Sequence, residues 1–249
     1  MDKSETVLFA LQEENGRMSS DVAAVADAVD EHNFMLPQDR ISFTLCSLQT
    51  MRKYGFRTGV PVGSIEFVEA CLGQQMRGIY IPEQLCKEEC IHRHVSIVFS
   101  YEEVQSLFDE WQADKLFVKS ASQLKCEYAD VYQKGQNIPA DTKYFVSELV
   151  PILSEWRLFV YQYKILDARC YSGNPFLAPN ESIANKMVRD YSDCPPAYTL
   201  DVAILRDGSL AIIEVHPFIS CGLYGFDSSH LLSMLIRAYN WEQNQLQKQ

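Results

Sequence analysis

Residues 201–217, DVAILRDGSLAIIEVHP, consist of two apolar runs on either side of a short polar turn. Residues 202–205 and 210–215 are apolar and largely β-branched, which is typical of strands. The pair Asp207-Gly208 between them suits a tight turn of the primed type, because such a turn needs residues that tolerate positive φ. The segment therefore predicts a β-hairpin.

Three polar side chains lie at the open end of this predicted hairpin. Because the second strand returns along the first, Asp201 is expected close to Glu214 and His216. Glu214 and His216 are two residues apart, so their side chains point to the same face of the strand. Two converging carboxylates with a third donor are what a hard divalent cation such as Mg²⁺ prefers. These residues alone leave open the alternative of a sheet edge with ordinary polar groups.

The composition is that of a globular protein with an acidic surface. Of its 249 residues, 47% are hydrophobic and 22% are charged, and this length can bury a substantial core in one large domain or in two lobes. The formal net charge is -11 and the pI is about 4.9. Nucleic-acid binders depend mainly on basic residues that meet phosphates, so nucleic acid is not an expected partner. Anionic membrane surfaces are disfavoured for the same reason.

The sequence has no apolar run of the roughly 18 residues that a membrane-spanning helix needs. The first residues, MDKSE, lack the basic and then apolar order of a signal peptide. We therefore expect a cytoplasmic protein without a membrane partner.

Eight cysteines are scattered along a chain that is too long to need disulfide cross-links for its stability. We interpret them as reduced thiols. Cys86, Cys90, His92 and His94 lie close together in the sequence, but no second pair of ligands follows at zinc-finger spacing. A structural zinc ion is therefore not expected.

The N-terminal part of the chain is expected to form a separate α/β lobe. Residues 6–11 predict a buried strand, and residues 22–29 predict a helix that residues 19–21 cap. Strand and helix signals compete in residues 41–54, and the sequence does not decide between them. Residues 64–72 have the period of a helix with an acidic first turn.

These signals divide the chain into an N-terminal domain, residues 1–95, and a larger α+β domain, residues 96–249. The predicted elements of the larger domain are a helix at 104–112 after a cap at 100–103, strands at 115–120, 144–151, 155–161 and 164–171, a helix from 180 to about 191, the hairpin, and a last helix from 230 to about 247.

The order of polar residues in the second domain resembles that of the ATP-grasp superfamily. A strand ends in Lys119, the next strand ends in an acidic hinge at residues 148–150, and the acid Glu155 follows shortly before the hairpin. The similarity covers roughly residues 97–245.

The hairpin carries the family pattern D-x(12)-E-x-N in an altered form. Asp201 and Glu214 match the two acids, and His216 stands where the family has asparagine. Residues 155–157 and 222–225 are most similar to the small branch of the family that is common in phages and bacteria.

The resemblance implies an adenine nucleotide held between two α+β subdomains, with the smaller N-terminal domain in front of them. Lys119 would contact the α- and β-phosphates as a point charge. Glu148, Leu149 and Val150 would present backbone groups to the adenine edge. Glu155 would bind the ribose hydroxyls.

The other implied roles concern phosphoryl transfer. Arg157 would neutralise the transferring group or hold the acceptor carboxylate. Asp201 and Glu214 would bind Mg²⁺ at the phosphates of ATP. Two features depart from the family. His216 supplies an imidazole, which suits Mn²⁺ or Zn²⁺ better than Mg²⁺, and the segment after Lys119 lacks the usual glycines, so Lys125 is expected to contact the phosphates instead.

Residues 218–226 follow His216 directly and are expected beside the γ-phosphate. Ser220 and Tyr224 bring hydroxyl groups, and Gly222 permits a close approach of the backbone to a ligand. We predict that these three residues contact the second substrate. The alternative is a packed turn, because the apolar residues of this segment could belong to the core.

The implied activity is that of an ATP- and Mg²⁺-dependent ligase, which phosphorylates a carboxylate and passes the acyl group to an amine, a thiol or a related nucleophile. The expected partners are ATP and a small-molecule or peptide substrate. Two alternatives are an ATP-binding protein that has lost ligase activity through His216 and an unrelated interaction protein. The sequence identifies neither the substrates nor the oligomeric state.

Overall fold

The structure, a computed structural model, describes residues 8–55, 59–76, 81–122, 128–227 and 229–246. It combines one parallel and two antiparallel β-sheets with helices, which confirms the expected α+β class with an α/β N-terminal lobe. Within these ranges no helix is long and apolar enough to cross a membrane.

Short parallel strands and helices alternate in the N-terminal lobe. Its elements are β1 (Leu8–Gln12), α1 (Ser20–Met35), β2 (Ser42–Cys46), α2 (Leu48–Tyr54), β3 (Val60–Val62) and α3 (Ile65–Leu72). The strands pair in parallel in the order β2-β1-β3, so β1 is central. Its three middle residues are fully buried, as expected for a strand covered on both faces.

Serine N-caps begin the three α-helices of this lobe, because the side chains of Ser19, Ser47 and Ser64 each accept a backbone N–H of the first turn. α1 is longer than predicted and ends before Pro37, which disfavours helix in the preceding residue. Both signals that compete in residues 41–54 are present, as β2 and then α2. The first two residues of the predicted strand at 6–11 lie outside the described residues.

The second sheet is antiparallel. Its elements are α4 (Glu88–Ile91), β4 (Val95–Val98), α5 (Tyr101–Glu110), β5 (Lys115–Ser120), β6 (Ala129–Gln133) and β7 (Tyr144–Ser147). The strand order is β4-β7-β5-β6, and β6 was not predicted. β7 ends before the predicted hinge, so residues 148–151 form a link to the third sheet. The division of the chain at residues 95 and 96 stays a prediction.

The third sheet is also antiparallel, in the order β11-β10-β8-β9. Its elements are β8 (Ile152–Tyr161), β9 (Lys164–Gly173), α6 (Glu181–Asp190), β10 (Ala197–Leu205), β11 (Leu210–Pro217) and α7 (Leu231–Leu246). All residues of β10 are buried, because α6 packs on one face of the sheet and the N-terminal lobe packs on part of the other.

The β10-β11 hairpin is confirmed, but its turn differs from the predicted type. The Gly208 N–H donates to the Leu205 carbonyl at 2.9 Å, and the Leu205 N–H donates to the Ser209 carbonyl at 2.9 Å. Of the predicted pair Asp207-Gly208, only Gly208 has a positive φ, at 85°. The connection is therefore a type I turn followed by a left-handed glycine rather than a primed turn. The Asp207 carboxylate accepts the Ser209 N–H and hydroxyl, which stabilises this turn.

The N-terminal lobe and the third sheet share one hydrophobic core. Leu11 of β1 and Val25 of α1 belong to the same cluster as Phe159 of β8 and the buried residues Phe218 and Phe226. α7 packs against α1, β3 and β10. The segment that follows the hairpin is therefore clamped between the two parts of the molecule.

Candidate active site

Two ion pairs with little exposure to solvent bring together four of the predicted site residues. Arg157 on β8 and Asp201 on β10 form one pair, and Lys119 on β5 and Glu214 on β11 form the other. The pairs contain two cations and two anions, so the cluster is electrically balanced without a ligand. Sequence analysis predicted each of these residues as a ligand-binding group, but it did not predict that they pair with one another.

The Arg157–Asp201 pair lies within the third sheet. The two residues are direct cross-strand partners, and the guanidinium donates from Nε to Oδ1 and from Nη2 to Oδ2, both at 2.8 Å. Nη1 donates to the Gly222 carbonyl at 3.1 Å. The relative exposure of the two residues is 6% for Arg157 and 1% for Asp201. The fork predicted to hold an acceptor carboxylate thus binds Asp201 in this structure.

Burial sets the electrostatics of this pair. Desolvation raises the pKa of the Asp201 carboxyl above its ordinary value, although the two Arg157 hydrogen bonds favour the ionised form. Desolvation alone would lower the pKa of Arg157, but its bonds to Asp201 outweigh burial and the net shift is upward. The arginine is therefore charged, and each partner needs the other.

The Lys119–Glu214 pair joins the second sheet to the third. Lys119 Nζ donates to Glu214 Oε2 at 2.6 Å, and it lies 5.2 Å from the centre of the Phe145 ring. Burial alone would raise the pKa of the Glu214 carboxyl, but the Lys119 ammonium outweighs it and the net shift is downward. Glu214 is thus ionised, and it is held at the surface of one sheet by a cation from the other.

A β-bulge places Glu214 beside Asp201. Val202 pairs with Ile212 and Asp201 pairs with Glu214, so Ile213 is an extra residue on β11. The extra residue brings both carboxylates to the same position across the two strands. The predicted proximity of Asp201 and Glu214 is confirmed, although the bulge that produces it was not predicted.

His216 lies two residues further along the same strand, opposite Thr199. Its Nδ1 is 3.1 Å from the Pro217 carbonyl, and burial lowers its pKa to about 4, so the imidazole is neutral at pH 7. The Thr199 hydroxyl is buried and has no hydrogen-bond partner among the described residues. Within the described ranges, no three His, Cys, Asp or Glu side chains are grouped closely enough to hold a metal ion, so the predicted three-ligand set is not assembled in this structure.

A pair of stacked tyrosines borders the ion-pair cluster. Tyr171 on β9 stacks on Tyr224 with ring centres 5.4 Å apart, and the Arg157 guanidinium lies 5.9 Å and 5.2 Å from the centres of the Tyr171 and Tyr224 rings. The Tyr171 hydroxyl donates to Glu155 Oε2 at 3.0 Å. Burial and the nearby carboxylates raise the pKa of Tyr171, so this hydroxyl is a hydrogen-bond donor. Sequence analysis missed Tyr171, because it lies on a different strand from every residue of the family pattern.

The predicted adenine hinge lies between the second and third sheets. Glu148 accepts the His94 N–H at 2.8 Å and forms an ion pair with the His94 side chain. Leu149 is exposed, and Val150 packs against small residues of β10 and β11. Arg93 also bridges the two sheets, because it donates to Ser147 Oγ at 2.8 Å and to the Ile212 carbonyl at 2.9 Å. No sequence pattern singled out Arg93.

The segment at residues 218–226 has a packed side and a polar side. Its apolar residues are buried in the shared core, as the packed-turn alternative expected. Its polar side lines a cavity of about 630 Å³ that includes Ser220 and Gly222. A Cβ atom at Gly222 would lie 3.3 Å from the Tyr224 ring and 3.5 Å from Arg157 Nη1, so a larger residue would crowd both.

The wall of this cavity opposite the segment belongs to the N-terminal lobe. It is lined by the ends of β1 and β3 and by the first turns of α1 and α3. Asp21 of α1 accepts the Leu223 N–H at 3.1 Å, which fixes the segment to the lobe. Lys125, the remaining predicted phosphate contact, lies outside the described residues.

Comparisons with known proteins agree with this geometry. The sequence profile of an ATP-grasp domain, the second family of its clade, matches residues 93–234. Similar solved structures include D-alanine–D-alanine ligase from Bacillus anthracis, which has 12% sequence identity and a TM-score of 0.51 and matches 96% of this chain and 99% of that chain. No curated protein sequence matches significantly.

Two further solved structures are similar over nearly their whole length. D-cycloserine synthetase DcsG has 11% identity and a TM-score of 0.55, covering 95% of this chain and 99% of that chain. The macrocyclase MdnC, bound with precursor peptide MdnA from Microcystis aeruginosa MRC, has 10% identity and a TM-score of 0.53, covering 95% and 99%. At these identities the similarity shows the fold alone, which is the ATP-grasp fold.

Proposed function

The chain belongs to the ATP-grasp family, and from this premise we propose that it is an ATP- and Mg²⁺-dependent ligase. It activates a carboxylate as an acyl phosphate, which an amine or another nucleophile then attacks. The observation that carries the proposal is the balanced cluster of Arg157, Asp201, Lys119 and Glu214, which spans the two antiparallel sheets. Charge stabilisation by positioned groups is the main contribution a protein makes to phosphoryl transfer.

The nucleotide lies between the second and third sheets in this proposal. Lys119 contacts the phosphates, residues 148–150 present backbone groups to the adenine, and Glu155 accepts the ribose hydroxyls. Glu155 is already oriented, because one of its oxygens accepts the Tyr171 hydroxyl. Lys125 remains a proposed phosphate contact.

The carboxylates of Asp201 and Glu214 fit a divalent cation, because they are adjacent, ionised and largely shielded from solvent. Mg²⁺ bound there would neutralise and orient the phosphates of ATP. The neutral imidazole of His216 is a poor ligand for Mg²⁺ and a better one for Mn²⁺. We therefore propose that Asp201 and Glu214 are the principal ligands and that His216 favours Mn²⁺ as a substitute.

Both ions of the Lys119–Glu214 pair are available for exchange in this proposal. A phosphate group replaces Glu214 as the partner of Lys119, which frees the Glu214 carboxylate to act as a metal ligand. Asp201 has less freedom, because both of its oxygens are bonded to Arg157. Arg157 then acts mainly by fixing Asp201 and the Gly222 carbonyl, and its remaining positive field acts on the transferred group.

The second substrate occupies the cavity between residues 218–226 and the N-terminal lobe. Ser220, Gly222 and Tyr224 contact it, and Arg157 lies at the boundary with the nucleotide. A cavity of about 630 Å³ suits a small molecule or the side chain of a peptide. A peptide is one of the candidate substrates, because the structurally similar macrocyclase MdnC is bound to a precursor peptide.

A protein that binds ATP without ligase activity is the second candidate function. It is favoured by one observation, the substitution of the family's asparagine by His216, which is neutral and directed towards its neighbour's carbonyl. Such a protein would still bind ATP, but acceptors would not stimulate release of ADP.

The two candidates are separated by measuring ADP release from purified protein with ATP, Mg²⁺ and pooled carboxylic acids, acidic peptides and amines. We expect release that depends on an acceptor and that Glu214→Gln abolishes. ATP binding with no acceptor-dependent release from any pool, in Mg²⁺ or in Mn²⁺, would support the second candidate.

A further inference from the structure

Tyr171 occupies a singular position on β9, the strand that lies beside β8 at the edge of the third sheet. Glu155 pairs with Ser172 and Trp156 pairs with Cys170, so Tyr171 is the extra residue of a β-bulge. Bulges redirect the side chain of the extra residue and are frequent beside active sites. In this case the bulge brings the tyrosine hydroxyl to Glu155.

The contacts of Tyr171 connect three parts of the site. Its hydroxyl donates to Glu155 Oε2 at 3.0 Å, and its ring stacks on Tyr224 at 5.4 Å with an angle of 19° between the planes. The Arg157 guanidinium lies beside both rings. The stack fixes the ring from one side, and the hydrogen bond fixes the direction of the hydroxyl.

This arrangement determines how Glu155 is presented. A carboxylate on a flexible side chain loses rotamer entropy when it binds a ligand, and a hydrogen bond that already holds one oxygen removes part of that loss. With Oε2 bonded to Tyr171, the other oxygen is held in a defined direction. A diol such as the 2′ and 3′ hydroxyls of ribose then meets a pre-oriented acceptor.

We propose that Tyr171 is a positioning residue that holds Glu155 for the ribose hydroxyls of the nucleotide, with its ring held in place by Tyr224. The inference rests on the proposed function for the identity of the ligand. It goes further in assigning selectivity for the sugar to a residue outside the family pattern.

The test compares the binding of ATP with that of 2′,3′-dideoxy-ATP, which lacks both hydroxyls, in the presence of Mg²⁺. Tyr171→Phe removes the hydroxyl and keeps the ring. It should weaken ATP binding about five- to tenfold, as expected for one lost hydrogen bond, and leave the dideoxy analogue unchanged. In a Glu155→Gln background the same substitution should have almost no further effect on ATP, because both residues act through one contact.

Tyr163→Phe is the matched control, because Tyr163 lies at the turn between β8 and β9 and its hydroxyl bonds to the Ser192 carbonyl, away from the site. It should leave both affinities unchanged. Equal weakening of ATP and analogue by Tyr171→Phe, or no weakening of either, overturns the inference while the proposed function stands. A wild-type protein that binds ATP and the analogue equally well also overturns the inference. A wild-type protein that binds no ATP overturns both.

Discussion

The two ion pairs of the site differ in how they are built. Arg157 and Asp201 are cross-strand partners within one sheet, share two hydrogen bonds, and have side-chain exposures of 7% and 2%. Lys119 and Glu214 come from different sheets, share one hydrogen bond, and have exposures of 8% and 21%. The first pair is fixed by strand register, whereas the second depends on how the two sheets are placed.

This difference indicates two roles. A bidentate pair that is fully desolvated cannot release one partner without leaving a buried charge, so it acts as part of the framework. A single contact between sheets can be replaced by a ligand that brings its own charges. We therefore regard Arg157–Asp201 as structural support and Lys119–Glu214 as the pair that nucleotide and metal exchange.

The largest effect is expected from breaking the framework pair. Asp201→Asn leaves the Arg157 guanidinium buried without a counter-charge, and the free energy of unfolding should fall by roughly 3–5 kcal/mol. Chemical denaturation measures this change.

Asp109→Asn is the matched control for this prediction, because Asp109 forms an exposed ion pair with Lys134. Its effect should be at most about 1 kcal/mol. Similar losses for the two substitutions would contradict the structural role of Asp201.

The exchangeable pair should affect turnover more than stability. Glu214→Gln keeps the shape of the side chain and removes its charge, so Mg²⁺-dependent ADP release should fall by two or more orders of magnitude, or about 3 kcal/mol in the barrier. The free energy of unfolding should change much less than in Asp201→Asn. Turnover close to that of the wild type, with the fold intact, would remove Glu214 from the metal site.

The other member of the exchangeable pair should show which part of the nucleotide it contacts. Lys119→Ala should weaken ATP binding about tenfold or more and change adenosine binding little, because only ATP carries the phosphates that an ammonium recognises. Calorimetry with both ligands measures this difference. Lys115→Ala, at the exposed start of the same strand, is the control and should be without effect. Equal losses for ATP and adenosine would indicate that Lys119 acts through the fold.

A smaller effect is expected beyond the ion pairs, at Tyr224. Tyr224→Phe keeps the stack on Tyr171 and removes a hydroxyl beside the acceptor cavity, so the KM or kcat for the acceptor should change several-fold while ATP affinity stays within about twofold. Steady-state kinetics with each substrate varied in turn separates the two. Equal changes for both substrates, or none, would favour the packed-turn interpretation of residues 218–226.

The sequence predicted the individual charged residues better than their partners. Local patterns suffice for the β10-β11 hairpin, for the strand that carries Lys119, and for helices with serine caps. They do not contain the Arg157–Asp201 and Lys119–Glu214 contacts, which join residues 44 and 95 positions apart. Such pairings depend on which strands become neighbours, and the strand order is a property of the whole fold.

The two bulges are a second reason for what the sequence analysis missed. A bulge adds one residue to one strand without a distinct signature in the alternation of apolar and polar residues. Ile213 and Tyr171 are such residues, and they decide where Glu214 and the Tyr171 hydroxyl point. The turn type at Gly208 was predicted wrongly for a similar reason, because the pair Asp207-Gly208 is compatible with more than one connection.

The central claim is that nucleotide replaces Glu214 as the partner of Lys119, and calorimetric titration of ATP with and without Mg²⁺ tests it directly. Without Mg²⁺, Glu214→Gln should bind ATP several-fold more tightly than the wild type, since no carboxylate competes for Lys119. This gain should vanish in the Lys119→Ala background. With Mg²⁺ the order should reverse, because only the wild type has the metal ligand. Weaker or unchanged binding of metal-free ATP by Glu214→Gln, with the full benefit of Mg²⁺ retained, would contradict the exchange.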